Sequence, residues 1–515
     1  MAWIKSGERM LDGDAFMAKA RLAAGAFESL GVRKGDGVAL YLRNELAYFE
    51  ANFGVGMLGA YPIPVNWHYT QDEANYLLRD SGVNVLVIHA DLLPAIASAV
   101  PDGVTVVVVE TPPEIVAAYG LKDFSPPAGA LIWRELMSSA SPLAREPEVA
   151  PSSIVYTSGT TGRPKGVKRP PFTPERAEAA NAMLAWSYGY TDHVQGRRRP
   201  DEIITAVVGP IYHAAPNAHS NYSIRNGANV VVTPRFDSEG LLSLIERERI
   251  THLNLVPIMF NRLLRLPASV KQRYDLSSLE YVAHAAAPCP PEVKRAMIEW
   301  WGPIINEYYG STEMGNVTNL NSAEWLEHPG SVGRVMPNVV VRIVDAEGAN
   351  VPPGTVGEVI GGPAAGAVFT YQNAPEKRAA MDRGGLVAPG DIGYFDADGF
   401  LYLCDRKNDM IISGGANIYP AEIEAELLKL PGVADCAVFG IPDDEFGERV
   451  MAVVQPEPDA DLSVDGLQAE LRRTLSGYKI PRQIDFVERL PREDSGKLFK
   501  RKLRDPFWAG RDRAI

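Results

Sequence analysis

One stretch of the chain gathers groups suited to holding a polyphosphate: Tyr156-Thr157-Ser158-Gly159-Thr160-Thr161-Gly162-Arg163-Pro164-Lys165-Gly166. From Thr157 to Gly162 every residue is Thr, Ser or Gly. Small side chains let the backbone close around phosphate oxygens, and both the N–H groups and the hydroxyls of Thr157, Ser158, Thr160 and Thr161 serve as donors. Lys165 adds positive charge. The loop is not a Walker A motif, because Pro164 precedes the lysine and Gly166 follows it, where that motif needs Gly and then Ser or Thr. The competing reading is a plain surface turn. Dense donors joined to a Pro-Lys-Gly ending weigh against it.

A phosphate loop needs a rigid frame, and the hydropathy pattern supplies one. A short apolar run, Ser153–Tyr156, reads as the strand feeding the loop. Upstream, Val38–Leu42, Tyr61–Val65 and Val83–His89 read as extended, with helices at Leu46–Leu58 and Gln71–Arg79, the second capped by Thr70. Strands alternating with helices imply βαβ units and a parallel sheet. The theme continues with helices at Ser238–Arg249, Ile258–Leu266 and Pro291–Trp301, and strands at His252–Val256 and Leu279–Ala285. From Val339 the texture turns to β, with Val339–Val344, Gly357–Ile360, and the pair Ile392–Phe395 and Phe400–Cys404 around an Asp398-Gly399 turn. A compact α/β unit follows, with helices at Ala421–Lys429 and Val464–Leu475 and strands at Ala434–Phe439 and Val450–Gln455. This places a boundary near Lys407–Asn408, giving a large unit of residues 1–407 and a small one of residues 408–515.

Composition excludes several function classes. The chain has 515 residues, 46% hydrophobic and 22% charged, enough apolar content for a sizeable core and too much for disorder as the main state. Its net charge of −13 argues against wrapping nucleic acid, which needs clustered Lys and Arg. The three cysteines, Cys289, Cys404 and Cys436, form no CxxC pair, so neither a disulfide framework nor a cysteine zinc site is expected. Neither a signal peptide nor an apolar run of membrane-spanning length is evident. The expected setting is cytoplasmic, with peripheral membrane contact and a homodimer left open.

The phosphate loop resembles that of the adenylate-forming superfamily, which includes acyl- and aryl-CoA synthetases. Further motifs similar to that family's recur in order along nearly the whole chain: Tyr308-Tyr309-Gly310-Ser311-Thr312-Glu313, Gly390-Asp391-Ile392-Gly393, Asp405-Arg406, Ser413-Gly414-Gly415-Ala416-Asn417-Ile418, and Pro491-Arg492-Glu493-Asp494-Ser495-Gly496-Lys497. The resemblance implies an α/β fold: a large N-terminal domain of mixed sheets flanked by helices with a β-barrel-like part, and a small mobile C-terminal α+β domain. It implies two half-reactions. A carboxylate attacks the α-phosphate of ATP to give an acyl-adenylate and pyrophosphate; the thiol of coenzyme A then takes the acyl group and releases AMP. ATP, Mg²⁺ and coenzyme A are the implied cofactors, and a small carboxylate and CoA the implied partners.

Carried over residue by residue, the resemblance makes Lys497 the charge at the pentavalent transition state, against the reading of a solvated lysine in a basic tail with Lys500, Arg501 and Lys502. Thr312 would bond the α-phosphate and Glu313 hold Mg²⁺, a hard cation that suits carboxylate oxygens. Tyr309 would stack on adenine, with Gly310 and Ser311 beside it, and Asp391 and Arg406 would bind ribose. The carboxylate would be bordered by Tyr212 and His213, with His284, Ala285 and Gly310 lining the acyl pocket. Ala286, Ala287 and Pro288 would lie between adenine and acyl group. Ser413, Gly414 and Gly415 would face CoA. Two departures stand out: Asn408 occupies a hinge position that is usually Asp or Lys, and Ala416 stands where the motif often has Glu. The resemblance favours a carboxylate–CoA ligase acting on a fatty, aryl or other hydrophobic acid. No carrier domain is expected after Ile515. The alternatives are an acyl-AMP ligase serving a carrier protein, and a catalytically silent nucleotide-binding protein.

Overall fold

The structure, a computed structural model, describes residues 3–122, 125–157, 164–191, 199–492 and 498–509. Its first layer is a five-stranded parallel sheet in the order Tyr61–Pro64, Gly37–Tyr41, Val85–His89, Thr105–Val109, Leu131–Ile132. These strands are apolar on both faces because helices cover both, as parallel sheets require. Helix Gln71–Ser81 starts where Thr70 and Glu73 form a reciprocal capping box and stops at Gly82, whose φ of 62° admits the left-handed turn.

The largest sheet changes character along its width. Strands Asn229–Val232, Ile204–Val207, His252–Leu255, Tyr281–His284 and Ile305–Ser311 run parallel. From Ile305–Ser311 onward the pairing is antiparallel, through Gly315–Leu320, Ser331–Val335, Leu401–Arg406, Asp391–Phe395 and Gly357–Pro363. In open parallel sheets ligands bind beyond the carboxyl ends of the strands. Three strands deliver candidate residues there: Ile204–Val207 leads to His213, Tyr281–His284 to Ala285–Pro288, and Ile305–Ser311 to Thr312 and Glu313.

A small sheet of Val155–Thr157, Lys165–Lys168 and Thr370–Tyr371 carries the described residues on both sides of the candidate phosphate loop. Another sheet is built from Ala416–Ile418, Ile411–Ser413, Gly447–Pro456, Val433–Asp443 and Gln483–Phe486, with its own core around Ile411, Ile423, Val438, Val450 and Leu467. Leu401–Arg406 thus belongs to the large sheet and Ile411–Ser413 to the small one, with Lys407–Met410 between. The helices Gly13–Ser29, Pro174–Tyr188 and Ala214–Arg225 were not anticipated by the sequence pattern. Among the described residues no helix is long and apolar enough to cross a membrane.

Candidate active site

Antiparallel pairing sets Asp391 directly opposite Arg406. The Asp391 carboxylate is buried, accepts the Tyr309 hydroxyl on Oδ2 at 2.6 Å, and has Nε of Arg406 3.5 Å from Oδ1. Burial pushes the Tyr309 hydroxyl well above its ordinary pKa, and the neighbouring Asp391 charge pushes it further, so the phenol remains a donor. Arg406 keeps about half of its side chain, 51%, open to solvent. One carboxylate is therefore held in place from two sides while its remaining lone pairs stay available to hydroxyl donors.

At the phosphate end, Thr157 pairs with Lys165 across the small sheet. Ser158, Gly159, Thr160, Thr161 and Gly162 lie outside the described residues. The Lys165 ammonium sits 5.5 Å over the ring of Tyr371, whose hydroxyl donates to Oε1 of Glu313 at 2.9 Å. Arg169 donates to the backbone carbonyls of Thr312 at 2.6 Å and Glu313 at 3.0 Å. Burial lowers the Lys165 pKa, as does nearby Lys377, with Glu313 opposing. Tyr371 and Arg169 thus tie the loop strands to the Thr312–Glu313 turn, and the sequence reading missed both. Arg169 lies three residues past the Pro-Lys-Gly ending, a weak signal; Tyr371 had none, because its partner Glu313 is remote in sequence.

Tyr212 and His213 stand at the entrance to helix Ala214–Arg225, their rings 4.4 Å apart, with Tyr212 edge-on to Trp67 at 4.6 Å. Side chains alternate along Tyr281–His284, so Ala283 and Ala285 join one cluster with Tyr188, Tyr222 and Tyr308. His284 faces the other way. Its imidazole is fully buried, edge-on to Phe260 at 5.3 Å and 3.4 Å from Glu307, so the ring itself packs in the core instead of beside Ala285. Ala286, Ala287 and Pro288 are exposed at the strand's end.

Ala286 adopts a φ of 73°, the left-handed region that costs an L-residue about 1–2 kcal/mol. Ala286→Gly is accordingly expected to raise stability by up to ~1 kcal/mol in chemical denaturation, reversing the usual sign of that substitution. At Gly310 the constraint is space: an added Cβ would come 2.1 Å from the carbonyl oxygen of Gly315. Ser311 Oγ accepts the Met314 N–H at 3.0 Å, closing the turn that presents Thr312 and Glu313.

In the small unit, Gly414 and Gly415 have φ of 57° and 82° and form the two-residue turn of the hairpin Ile411–Ser413/Ala416–Ile418, in which Ser413 pairs with Ala416. The Asn408 carbonyl accepts from Arg504 at 3.4 Å. Lys497 lies outside the described residues. The chain on either side of residues 493–497 is bridged between Arg492 and Leu498, and Arg492 is anchored to Asp435 at 2.7 Å.

The AMP-binding enzyme family matches residues 4–367, and the AMP-binding enzyme C-terminal domain matches residues 422–497. A feruloyl-CoA synthase from Amycolatopsis sp is 34% identical over 502 residues, covering 95% of this chain and 92% of the relative. A long-chain-fatty-acid–CoA ligase from Bacillus subtilis (strain 168) is 32% identical over 519 residues, covering 96% and 90%. ATP-bound MatB from Rhodopseudomonas palustris superposes with a TM-score of 0.83 at 26% identity, covering 98% of this chain and 95% of that one.

Proposed function

The chain belongs to the AMP-binding enzyme family, and on that premise we propose that it is an AMP-forming carboxylate–CoA ligase for an aryl or fatty acid. The observation that carries this reading is the Asp391 carboxylate fixed between the Tyr309 hydroxyl and Arg406, with Tyr309 on the strand Ile305–Ser311 that leads into Thr312 and Glu313. Asp391 and Arg406 bind the ribose hydroxyls and Tyr309 contacts adenine. Ala286, Ala287 and Pro288 separate the nucleotide from the acyl group. Thr157 to Gly162 and Lys165 cradle the phosphates, and Thr312 bonds the α-phosphate. His213 and Tyr212 border the carboxylate as it attacks.

Glu313 is the residue that would hold Mg²⁺. One of its oxygens accepts from Tyr371, which orients the carboxylate, and carboxylate oxygens suit this hard cation. When bound, Mg²⁺ supplies charge neutralisation on the phosphate oxygens. Lys497 brings a further cation to the transition state, presented by the small unit. Ser413, Gly414 and Gly415 face CoA.

The test is AMP release by the purified chain with ATP, CoA and a library of carboxylic acids. AMP formation that needs both an acid and CoA supports the reading; ATP binding without turnover on any acid refutes it and favours a silent nucleotide-binding protein.

The pivot between the two half-reactions is assigned to Asn408, two residues past Arg406 and between the large and small sheets. Proline fixes φ near −65° and removes the N–H, so Asn408→Pro is expected to trap one orientation. Acyl-AMP should still form while CoA transfer slows at least tenfold in single-turnover assays. Wild-type rates in both half-reactions would move the pivot elsewhere.

A further inference from the structure

The relatives differ on what kind of acid they activate, and the core behind the proposed acyl site bears on the choice. Helix Ala214–Arg225, strand Tyr281–His284 and strand Ile305–Ser311 converge on one buried cluster of Tyr188, Tyr222, Tyr281 and Tyr308. On the helix, Ala215, Ala218, His219 and Tyr222 share a face at spacings of three, four and seven residues. Ala215 and Ala218 are part-exposed, whereas His219 and Tyr222 are buried, so this face opens with small side chains and closes with rings. Tyr188 is the hub of the closed end, with ring centroids 4.9 Å from His219, 5.6 Å from Tyr222 and 5.9 Å from Tyr308. His219 lies about 9 Å along the helix axis from His213, at 1.5 Å per residue. That span matches one ring on a short spacer. A long alkyl chain would have to displace three packed tyrosines.

Hydrogen bonding defines the chemistry of that closed end. The Thr205 hydroxyl donates to the His252 carbonyl at 2.9 Å, and a carbonyl only accepts, so the hydroxyl proton is committed. Its oxygen, 3.3 Å from Nε2 of His219, therefore accepts the ring N–H. Burial, reinforced by neighbouring His252, holds the His219 pKa down at about 3, so the imidazole is neutral and carries a single N–H. With that proton on Nε2, Nδ1 is left as the acceptor of a ring that packs edge-on against Tyr188. Nearby, Asn254 Nδ2 donates to the Tyr308 hydroxyl at 2.9 Å.

Resting on the ligase reading above, we propose that the acyl pocket is blind. Its floor, made by Tyr188, His219, Tyr222 and Tyr308, selects a compact aromatic acid carrying a hydrogen-bond donor, a hydroxyl or a ring N–H, at the end remote from the carboxylate. Aromatic rings meet the ring of the acid, and His219 accepts from its donor. A site built around a hydrogen bond rejects an analogue lacking that group far more strongly than an apolar pocket rejects a missing methylene.

The experiment compares kcat/KM for 4-hydroxycinnamate, cinnamate and hexadecanoate, with ATP, Mg²⁺ and CoA, by AMP release. The expected order places 4-hydroxycinnamate at least tenfold above cinnamate and at least a hundredfold above hexadecanoate. His219→Leu should bring the hydroxycinnamate-to-cinnamate ratio close to one, and His219→Gln, which keeps an acceptor, should restore part of it. Tyr188→Ala should shift the wild-type chain-length profile toward decanoate. AMP release with hexadecanoate as the best acid overturns the inference and leaves the ligase reading standing, as does a hydroxycinnamate preference unchanged in His219→Leu. No AMP with any acid overturns the ligase reading and this inference with it.

Discussion

Lys497→Ala is expected to slow pyrophosphate release by about 10²–10³, while thioester formation from supplied acyl-AMP falls far less. Adenylation brings a carboxylate up to a triphosphate, and the transition state gathers negative charge that a positioned cation stabilises selectively. Transfer of the acyl group to a thiol has no such convergence of anions. The rival view, a solvated lysine in a basic tail, has a separate signature. Nearby Lys500 is paired with Glu424 at 2.8 Å with its side chain only 16% exposed, so it serves the packing of the small unit. Lys500→Ala should therefore lower the melting temperature and weaken both half-reactions through loss of folded protein. Lys497→Ala should keep its melting temperature and lose one half-reaction. Parallel rate measurements, pyrophosphate release from ATP plus acid and CoA-ester formation from acyl-AMP, separate the two. Equal loss in both halves would remove Lys497 from the adenylation step.

Much of the frame was legible because local rules and global packing agree. The strand over Val85–His89 holds the apolar run Val85–Ile88, and the helix over Gln71–Ser81 carries its cap in Thr70 and Glu73. Helix Ala214–Arg225 was not legible, since its buried residues include Asn217, His219, Ser220, Asn221 and Ser223. Burial of such a face depends on remote partners: Asn217 donates to the Tyr48 hydroxyl at 2.6 Å and to the Ile211 carbonyl at 3.1 Å. No periodicity of apolar residues reports that. Helix Pro174–Tyr188 hides for a related reason, burying only Ser187 and Tyr188 at its last turn.

The candidate site divides along the same line. Residues proposed from short motifs, such as Thr312, Glu313 and Lys165, were singled out by their neighbours in sequence. Residues whose role comes from a contact across the fold were not: Tyr371 reaches Glu313, and Arg169 holds the carbonyls of the same turn. His284 is the converse case. Its place in the Ala-rich segment suggested the acyl pocket, and strand alternation sends its ring to the opposite face.

That opposite face yields the largest expected effect on stability. Lys294, on helix Pro291–Trp301, is fully buried and bonds Oε2 of Glu307 at 2.6 Å; Glu307 lies on the strand that ends in Tyr309–Ser311. The pair fastens the helix that follows Ala286–Pro288 to the strand that precedes Thr312 and Glu313. Burial pushes the Glu307 carboxyl above its ordinary pKa, and the Lys294 ammonium pulls it partly back. The other titratable groups facing it give no compensation. Burial holds His284 neutral, with Lys294 adding to the effect, and burial raises the Cys289 thiol. Lys294→Met removes the one cationic side chain that, among the described residues, bonds Glu307, and should cost about 3–5 kcal/mol near neutral pH, the usual penalty for leaving a buried charge uncompensated. The pH dependence has a definite sign. With Glu307 raised further in the folded variant, the folded state holds a proton that the unfolded state has lost, so stability falls as pH rises above about 4.3, by up to ~1.4 kcal/mol per unit. Denaturation of Lys294→Met at pH 5 and pH 7.5 should therefore show the greater deficit against wild type at pH 7.5. Adding Glu307→Gln should remove most of that pH-dependent deficit, because no ionisable group remains to be stripped of its partner. A deficit independent of pH, or one the second substitution leaves unchanged, would reduce Lys294 to its packing against Trp325, over whose ring the ammonium sits at 5.2 Å.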